Sequence, residues 1–304
     1  MDAYIISYFG KGGALRRERQ GLHYQQLCSL LQQPGIEDIH ILAQAYDYKQ
    51  PITKPEGYLE LKHPRVHYHH TEQMTPAQAR NRLIDIYYAT RKPWALFADN
   101  DAAIDPRWHG RQACEIIDHN AVWLNQHVDI LSPVSPRHQP FSKVATEREQ
   151  KGQLDTHTPI KKENYIKTTL FFMKNRGLQG NKPIYFDETL RELEDYEYQG
   201  RVLQAGGTIY QLSSIIMADL GQSEKVSTLF EDQARTTNFA EVKERIYKRY
   251  FDPNTWQGVD NTKFRWEQIN NNRALQMNYK LPLPGYEGVL DTQDNLYHTL
   301  FEVE

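Results

Sequence analysis

Lys92-Pro93-Trp94-Ala95-Leu96-Phe97-Ala98-Asp99-Asn100-Asp101 is the stretch on which the reading of this chain turns. Trp94 to Ala98 is a short, continuous apolar run, which suits an interior strand of a parallel sheet better than an amphipathic helix. It runs directly into two carboxylates one residue apart. Acidic residues at the carboxyl end of such a strand stand where open α/β sheets bind ligands. In extended backbone, residues two apart point to the same side, so Asp99 and Asp101 are expected to face one ion together. Hard divalent cations such as Mg²⁺ and Mn²⁺ take oxygen ligands of this kind and can hold a diphosphate as well. The same triplet also reads as a polar turn that closes a strand, because Asn and Asp favour turns.

Upstream, Thr75-Pro76 opens a helix, with Thr as N-cap and Pro at the first helical position. Leu83, Ile84, Tyr87 and Tyr88 supply its buried stripe. Further strands are expected at 3–9, 39–43, 66–69, 128–132, 165–173 and 208–212, with helices over 14–32, around 111–120, and from the acid-rich stretch 185–198 through Leu203. Gly206-Gly207 is placed to end that last helix. Strands alternating with helices indicate a mostly parallel sheet covered on both faces. From Pro133 to Asn164 the chain is polar and proline-rich with little periodicity, and a loop of that length is either functional or a surface excursion. The expected domains are 1–221, an α/β unit, and 222–304, a helical, aromatic-rich extension packed on it.

Composition sets the outer bounds. In 304 residues, 39% are hydrophobic and 12% aromatic, with a formal net charge of −3. Abundant aromatics and near-balanced charge argue for a folded chain, and there is no global basic signature for nucleic acid. Cys28 and Cys114 read as free thiols in amphipathic segments, not as a disulfide framework. The N-terminus lacks a basic lead, and no apolar window of about 18 residues occurs, so the expectation is a soluble cytoplasmic protein without a membrane span. His67, His69, His70, His119 and His127 lack zinc-site spacing and are expected to be structural.

Ala77-Gln78-Ala79-Arg80-Asn81 on a helix, followed by the apolar strand and Asp-x-Asp, resembles nucleotide-sugar glycosyltransferases of the GT-A fold, especially those similar to family 2. The resemblance covers about residues 1–220. It implies an α/β, GT-A type fold: a single Rossmann-like, mostly parallel sheet with helices on both faces and a helical C-terminal extension. It also implies a metal-dependent transferase that moves a sugar from a nucleotide-sugar donor, UDP first among the nucleotides, to an acceptor hydroxyl. In such enzymes an acidic pair opens a helix that ends at a glycine before a strand, and Leu193-Glu194-Asp195 matches this in order and spacing to Gly206.

Carried over residue by residue, the resemblance makes Asp99 and Asp101 the ligands of Mn²⁺ or Mg²⁺. It places Arg80 beside the diphosphate or base, and Ser7 and Tyr8 where the nucleotide base is held. The chain departs from the family in having Gln44-Ala45-Tyr46-Asp47 after the second strand, where Asp-Asp-Gly-Ser is usual, which leaves the base open. Asp195 is the candidate base for the acceptor proton, with Glu194 orienting the site. Acids starting a helix also suit its dipole without any catalytic role.

For the acceptor, Ser7-Tyr8-Phe9-Gly10, the basic segment from Leu15 to Arg19 and the anchorless chain are similar to bacteriophage enzymes that glycosylate hydroxymethylated DNA bases. Arg16, Arg17, Arg19, Lys161, Lys162, Lys243, Arg245, Lys248 and Arg249 are candidates to grip phosphates while aromatics stack a flipped base. Polysaccharide, lipid-linked and protein acceptors stay open. So do a Ca²⁺-containing carbohydrate- or nucleic-acid-binding module and a metal-dependent phosphatase or nuclease.

Overall fold

Strand β1 (Asp2–Ser7) is buried along almost its whole length, because it has a parallel neighbour on each side. β2 (Ile39–Gln44) pairs with it in the register Ile5↔Ile41, and β4 (Trp94–Asp99) in the register Ile5↔Ala98. The computed structural model describes residues 1–8, 13–44, 60–104, 113–134, 160–163, 166, 168–190, 193–219, 239–246 and 248–249. The expected long loop falls mostly outside these residues, as does the aromatic tail.

Among the described residues the sheet has nine strands, in the order β3-β2-β1-β4-β8-β6-β9-β5, with β7 paired to β9. Its first half, through β3 (Val66–Thr71), is parallel. β8 (Leu170–Lys174) then enters antiparallel between β4 and β6 (Ile130–Val134). β9 (Ile209–Asp219) returns parallel to β6, and carries the short antiparallel strands β5 (Ala102–Ile104) and β7 (Ile160–Glu163).

Period-two alternation sorts the strand side chains onto two faces. Ala3, Ile5, Leu96, Ala98 and Phe172 join Leu27 and Leu30 of α1 (Gly13–Gln32), Ile117 of α3 (Ala113–His119) and Leu124 of α4 (Ala121–His127) in one core cluster. Tyr4, Phe97, Phe171 and Met173 face the other way. There they meet Leu83, Ile84 and Tyr87 of α2 (Pro76–Thr90) and Tyr198 and Val202 of α5 (Glu194–Gln204). Full burial of Leu83 and Ile84 contributes roughly 1.5–3 kcal/mol each. The Tyr87 hydroxyl keeps its hydrogen bonds inside this layer, donating toward Pro93 O at 3.1 Å and Met173 O at 3.0 Å, which ties α2 to the starts of β4 and the end of β8.

α2 begins as its sequence directs, with Thr75 and Gln78 forming a reciprocal capping box and Pro76 in the first turn. Several elements differ from the sequence expectation, among them β5 and β7, which it lacks. α4 intervenes before β6, β8 starts at Leu170 instead of near 165, and β9 runs well past Leu212. The short α4 and β5 are below the length at which periodicity is readable. α6 (Phe239–Ile246) lies in the expected helical C-terminal segment.

α5 ends in a Schellman arrangement: Gly207 N–H donates to Val202 O at 2.8 Å and Gly206 N–H to Leu203 O at 3.0 Å, with Gly206 left-handed at φ 73°. The two glycines are needed for different reasons. A Cβ at Gly206 meets nothing within 4 Å, whereas one at Gly207 stands 2.7 Å from Val202 O and 2.8 Å from Val202 Cγ1. Gly206→Ala should therefore cost about 1 kcal/mol of backbone strain, and Gly207→Ala about 1–3 kcal/mol through the clash. Urea unfolding of the two variants checks this; equal or reversed losses would refute the assignment.

Candidate functional site

The site is built from three pieces: the C-terminal end of β4, the first turn of α5, and one arginine between them. Arg80 lies on the buried side of α2 and is only 6% exposed. Its Nη1 donates to Glu194 Oε1 at 2.7 Å, and its Nη2 to Asp99 Oδ1 at 3.0 Å and Oδ2 at 3.4 Å. Burial works against the guanidinium charge, but Asp99, Glu194 and Asp195 outweigh it and hold the pKa above its ordinary value. The cation is permanent. Its Cζ stands 5.2 Å from the centroid of the Phe186 ring, and that ring stacks on Tyr198 of α5 at 3.9 Å and 8°, so the guanidinium has an aromatic floor.

Asn81, the next residue, fixes the segment that leads to α5. Its Nδ2 donates to Phe186 O at 3.0 Å and Glu188 Oε1 at 2.8 Å, and its Oδ1 accepts from Phe186 N–H at 2.8 Å. α5 itself begins under strain. Leu193 at the N-cap is left-handed, φ 60°, and gives no side-chain cap. The first turn is instead acidic, with Glu194, Asp195 and Glu197, as suits the positive end of a helix. Asp195 retains partial exposure, yet its pKa is pushed up to about 7, first by desolvation and then by the neighbouring Glu194 charge. Arg80 and the N–H groups of Tyr196 and Asp195 pull it back only in part.

Asp99 ends β4, and Asn100-Asp101 is a turn into β5. The expectation that extended backbone carries both carboxylates to one side is therefore corrected: a turn, not a continuing strand, sets their relation. Each acid pairs with a different arginine. Asp99 takes Arg80, and Asp101 Oδ2 lies 3.2 Å from Arg19 Nη1. Arg19 also donates from Nη2 to Asn100 Oδ1 at 2.5 Å and from Nε to Tyr8 O at 3.2 Å. Tyr8 O receives Asn100 Nδ2 as well, at 3.3 Å. Gln26 Nε2 donates to Asp99 O at 2.5 Å and to Ala102 O, clasping the two ends of the turn. Ser7 closes β1 beside this turn, buried and paired with Ala43.

The structure thus brings Arg80, Asp99, Glu194 and Asp195 together, and sets Asp101, Ser7 and Tyr8 around the adjoining turn. Lys248 and Arg249 are exposed beyond α6, with Lys248 Nζ 2.8 Å from Glu244. Arg16 and Arg17 lie on α1, their side chains outside the described set. Arg19, expected among the phosphate-gripping cations, is buried and directed inward at the turn. Sequence reading assigned no site role to Gln26, Asn81, Asn100 or Phe186. For α1 a signal existed: Arg19, His23 and Gln26 recur at helical spacing on the buried stripe.

The histidines are engaged in the sheet edge, His40 Nδ1 with His69 Nε2 at 3.1 Å, His67 with Asp38 at 3.0 Å and His70 with Glu60 at 3.1 Å. Among the described residues, no group of three or more His, Cys, Asp or Glu is arranged to hold a metal. The donor set at the turn, two carboxylates, still fits Mg²⁺ or Mn²⁺, which use one or two protein carboxylates and complete their shells with phosphate and water. Cys114 is buried and Cys28 half-buried, both free, and burial raises both thiols. No helix among the described residues is long and apolar enough to cross a membrane.

No protein family and no curated protein matches the sequence. Among solved structures, the chain is similar to S. aureus TarS 1-349 in complex with UDP-GlcNAc, at 14% identity and a TM-score of 0.43, over 98% of this chain and 72% of that one. It is similar to GalNAc-T7 with UDP, GalNAc and Mn²⁺ at 13% identity and 0.46, over 93% of this chain and 58% of that one. Similarity to A197 from STIV is at 11% identity and 0.36, over 70% and 82% of the two chains. Likeness at this distance assigns no role to any residue.

Proposed function

We propose that this chain is a GT-A type glycosyltransferase that moves a hexosyl or pentosyl group from a nucleotide sugar, UDP-linked in the first instance, to an acceptor hydroxyl. One observation carries the reading. Two acid stretches far apart in sequence, Asp99 and the Glu194-Asp195 pair through Glu194, meet on the buried guanidinium of Arg80. A donor-side acid pair and an acceptor-side acid pair are what such a transfer needs, and the motif order along the chain matches.

On an inverting course the acceptor oxygen attacks the anomeric carbon as the bond to the diphosphate breaks, and the bonding pair leaves with the diphosphate. Asp195 takes the acceptor proton, and a base held near neutrality suits that task. Glu194, fixed by Arg80, orients the neighbouring carboxylate. Ser7 and Tyr8 flank the nucleotide at the end of β1. A divalent cation on Asp99 and Asp101, when bound, neutralises charge developing on the departing diphosphate.

The acceptor read from the sequence is a hydroxymethylated DNA base, with Lys248 and Arg249 as exposed phosphate contacts; glycan, lipid-linked and protein hydroxyls are the alternatives. Counterion release makes DNA binding salt-sensitive whatever the net charge. Reversing charge at Lys248 and Arg249 together should therefore flatten the dependence of affinity on salt. Absence of salt-sensitive binding to modified or unmodified DNA would remove this acceptor and leave the transferase reading standing.

Three outcomes test the chemistry. Asp101→Ala should weaken UDP-sugar binding in Mn²⁺ by at least about tenfold, as measured by calorimetry on folded protein, because a cation and its phosphate contacts are lost together. Asp195→Asn should abolish nucleotide release to acceptor while sparing donor affinity, since a base acts only in the chemical step. The parent rate should fall as pH drops through about 7, the value to which Asp195 is raised.

The same shift fixes a stability sign. A carboxyl whose folded pKa is raised binds its proton more tightly when folded, so its ionisation destabilises the fold as pH rises from the ordinary aspartate range through about 7. Asp195→Asn should accordingly stabilise the protein at pH 8, by about 1–2 kcal/mol after solvent screening. A destabilised Asn variant would contradict the burial argument.

A further inference from the structure

The two acids of the Asp-Asn-Asp turn are both already ion-paired, and the pairing has a pattern. Arg80 comes from α2, on one face of the sheet, and Arg19 from α1, on the other. Each arginine holds one acid of the turn and at least one group besides it. Arg80 Nη1 is tied to Glu194 at 2.7 Å, while its Nη2 meets Asp99 at 3.0 and 3.4 Å. Arg19 Nη2 is tied to Asn100 Oδ1 at 2.5 Å and its Nε to Tyr8 O, while Nη1 lies 3.2 Å from Asp101. On both side chains the shortest bond goes to the group outside the acid pair. Loss of the contacts to Asp99 and Asp101 would leave each guanidinium in place.

We infer that Arg19 and Arg80 are resident counter-cations of the turn, which yield Asp99 and Asp101 to a divalent cation and turn the released N–H groups to the diphosphate that accompanies it. This rests on the cation role of Asp99 and Asp101 proposed above, and adds what the arginines do. The electrostatics require such a stand-in. Asp99 and Glu194 share Arg80, Asp101 lies against Arg19, and carboxylates left unpaired in a partly buried site are costly. A cation arriving at the turn would face repulsion from two fixed guanidinium groups if these kept their places, at a cost set by Coulomb's law in a medium poorer than water. Small rotation of the guanidinium planes about their anchored N–H groups relieves this. It also presents planar N–H donors, the geometry that arginine offers to phosphate. Since Arg19 and Arg80 flank the turn from opposite faces, both can reach a diphosphate seated over it.

The test separates cation binding from donor binding. Mn²⁺ affinity is measured by electron paramagnetic resonance without nucleotide, and UDP affinity by calorimetry in saturating Mn²⁺, for the parent, Arg19→Gln and Arg80→Gln. Removing a competing cation should tighten Mn²⁺ binding by about tenfold, and removing a phosphate donor should weaken UDP binding by about tenfold. Opposite shifts in one variant are the signature; a merely structural role would weaken both. If Arg80→Gln does not fold, Arg19→Gln decides alone. Mn²⁺ affinity unchanged or lowered in Arg19→Gln, with the parent binding Mn²⁺, overturns the exchange and leaves the cation role intact. If neither parent nor variant binds Mn²⁺ with or without UDP, the cation role falls first and the exchange with it.

Discussion

A buried guanidinium between two carboxylates is the constraint from which the geometry of this molecule follows. Arg80 cannot be left unpaired inside the protein, because a desolvated charge without partners costs several kcal/mol. Its partners come from β4 and α5, so folding that buries Arg80 must bring the end of a central strand against the start of a helix nearly a hundred residues later in the chain. Asn81 secures the approach by holding both backbone groups of Phe186. Phe186 in turn fills the space between the guanidinium and Tyr198. Salt bridge, amide clamp and stacked ring form one unit. Its members are non-additive in the sense that removing any one leaves the others in an unsuitable environment.

That unit holds a tension at the first turn of α5. Leu193 occupies left-handed backbone without glycine's freedom and without capping the helix. Glu194 and Asp195 stand side by side, the one neutralised by Arg80 and the other raised toward neutrality by burial and by its neighbour. A sequence selected for stability alone would place Ser or Asn at the N-cap and would not crowd two carboxylates there. Strain and like-charge crowding persist where the surrounding structure over-determines them, and they cluster at sites that do chemistry. The exit of the same helix obeys the local rules fully, through its paired glycines. Only the end that faces Arg80 departs from them.

How far the sequence could be read follows from the range of the forces involved. α1, α2, β1, β2 and β4 were legible because a cap, a proline or an apolar run defines each locally, within a turn or two of chain. Asp99, Asp101, Arg80, Glu194 and Asp195 stand out in the sequence by residue type and order, and the fold draws Asp99 and Glu194 onto Arg80. What the sequence did not disclose was pairing across distance. Nothing in the run Arg16-Arg17-Glu18-Arg19 distinguishes an arginine that faces solvent from one buried against Asn100, apart from the alignment of Arg19 with His23 and Gln26. The antiparallel entry of β8 between β4 and β6 was equally hidden, since Leu170 to Lys174 is apolar on both faces and fits either direction. Between extended backbone and a polar turn at Asn100-Asp101 the sequence leaves both open, because three polar residues carry no periodicity from which to choose, and the structure has the turn.

The turn's backbone is held at both ends, and that bears on what can move. Gln26 grips the carbonyls at both ends, Asp99 O and Ala102 O, from the middle of a twenty-residue helix. Asp99 N–H is held by Thr169 O at 2.8 Å, and Asn100 by Tyr8 O. The ends of the turn are thereby tied to α1 and to the residue before β8, and the Asn100 side chain ties its middle to the residue after β1. The carboxylates of Asp99 and Asp101 each meet an N–H group of an arginine that is also bonded to other groups. Rearrangement at this site is accordingly a matter of side-chain rotation over a rigid frame, which costs far less than moving a packed strand end. A frame that holds position lets the charged side chains around it change partners without disturbing the strand end.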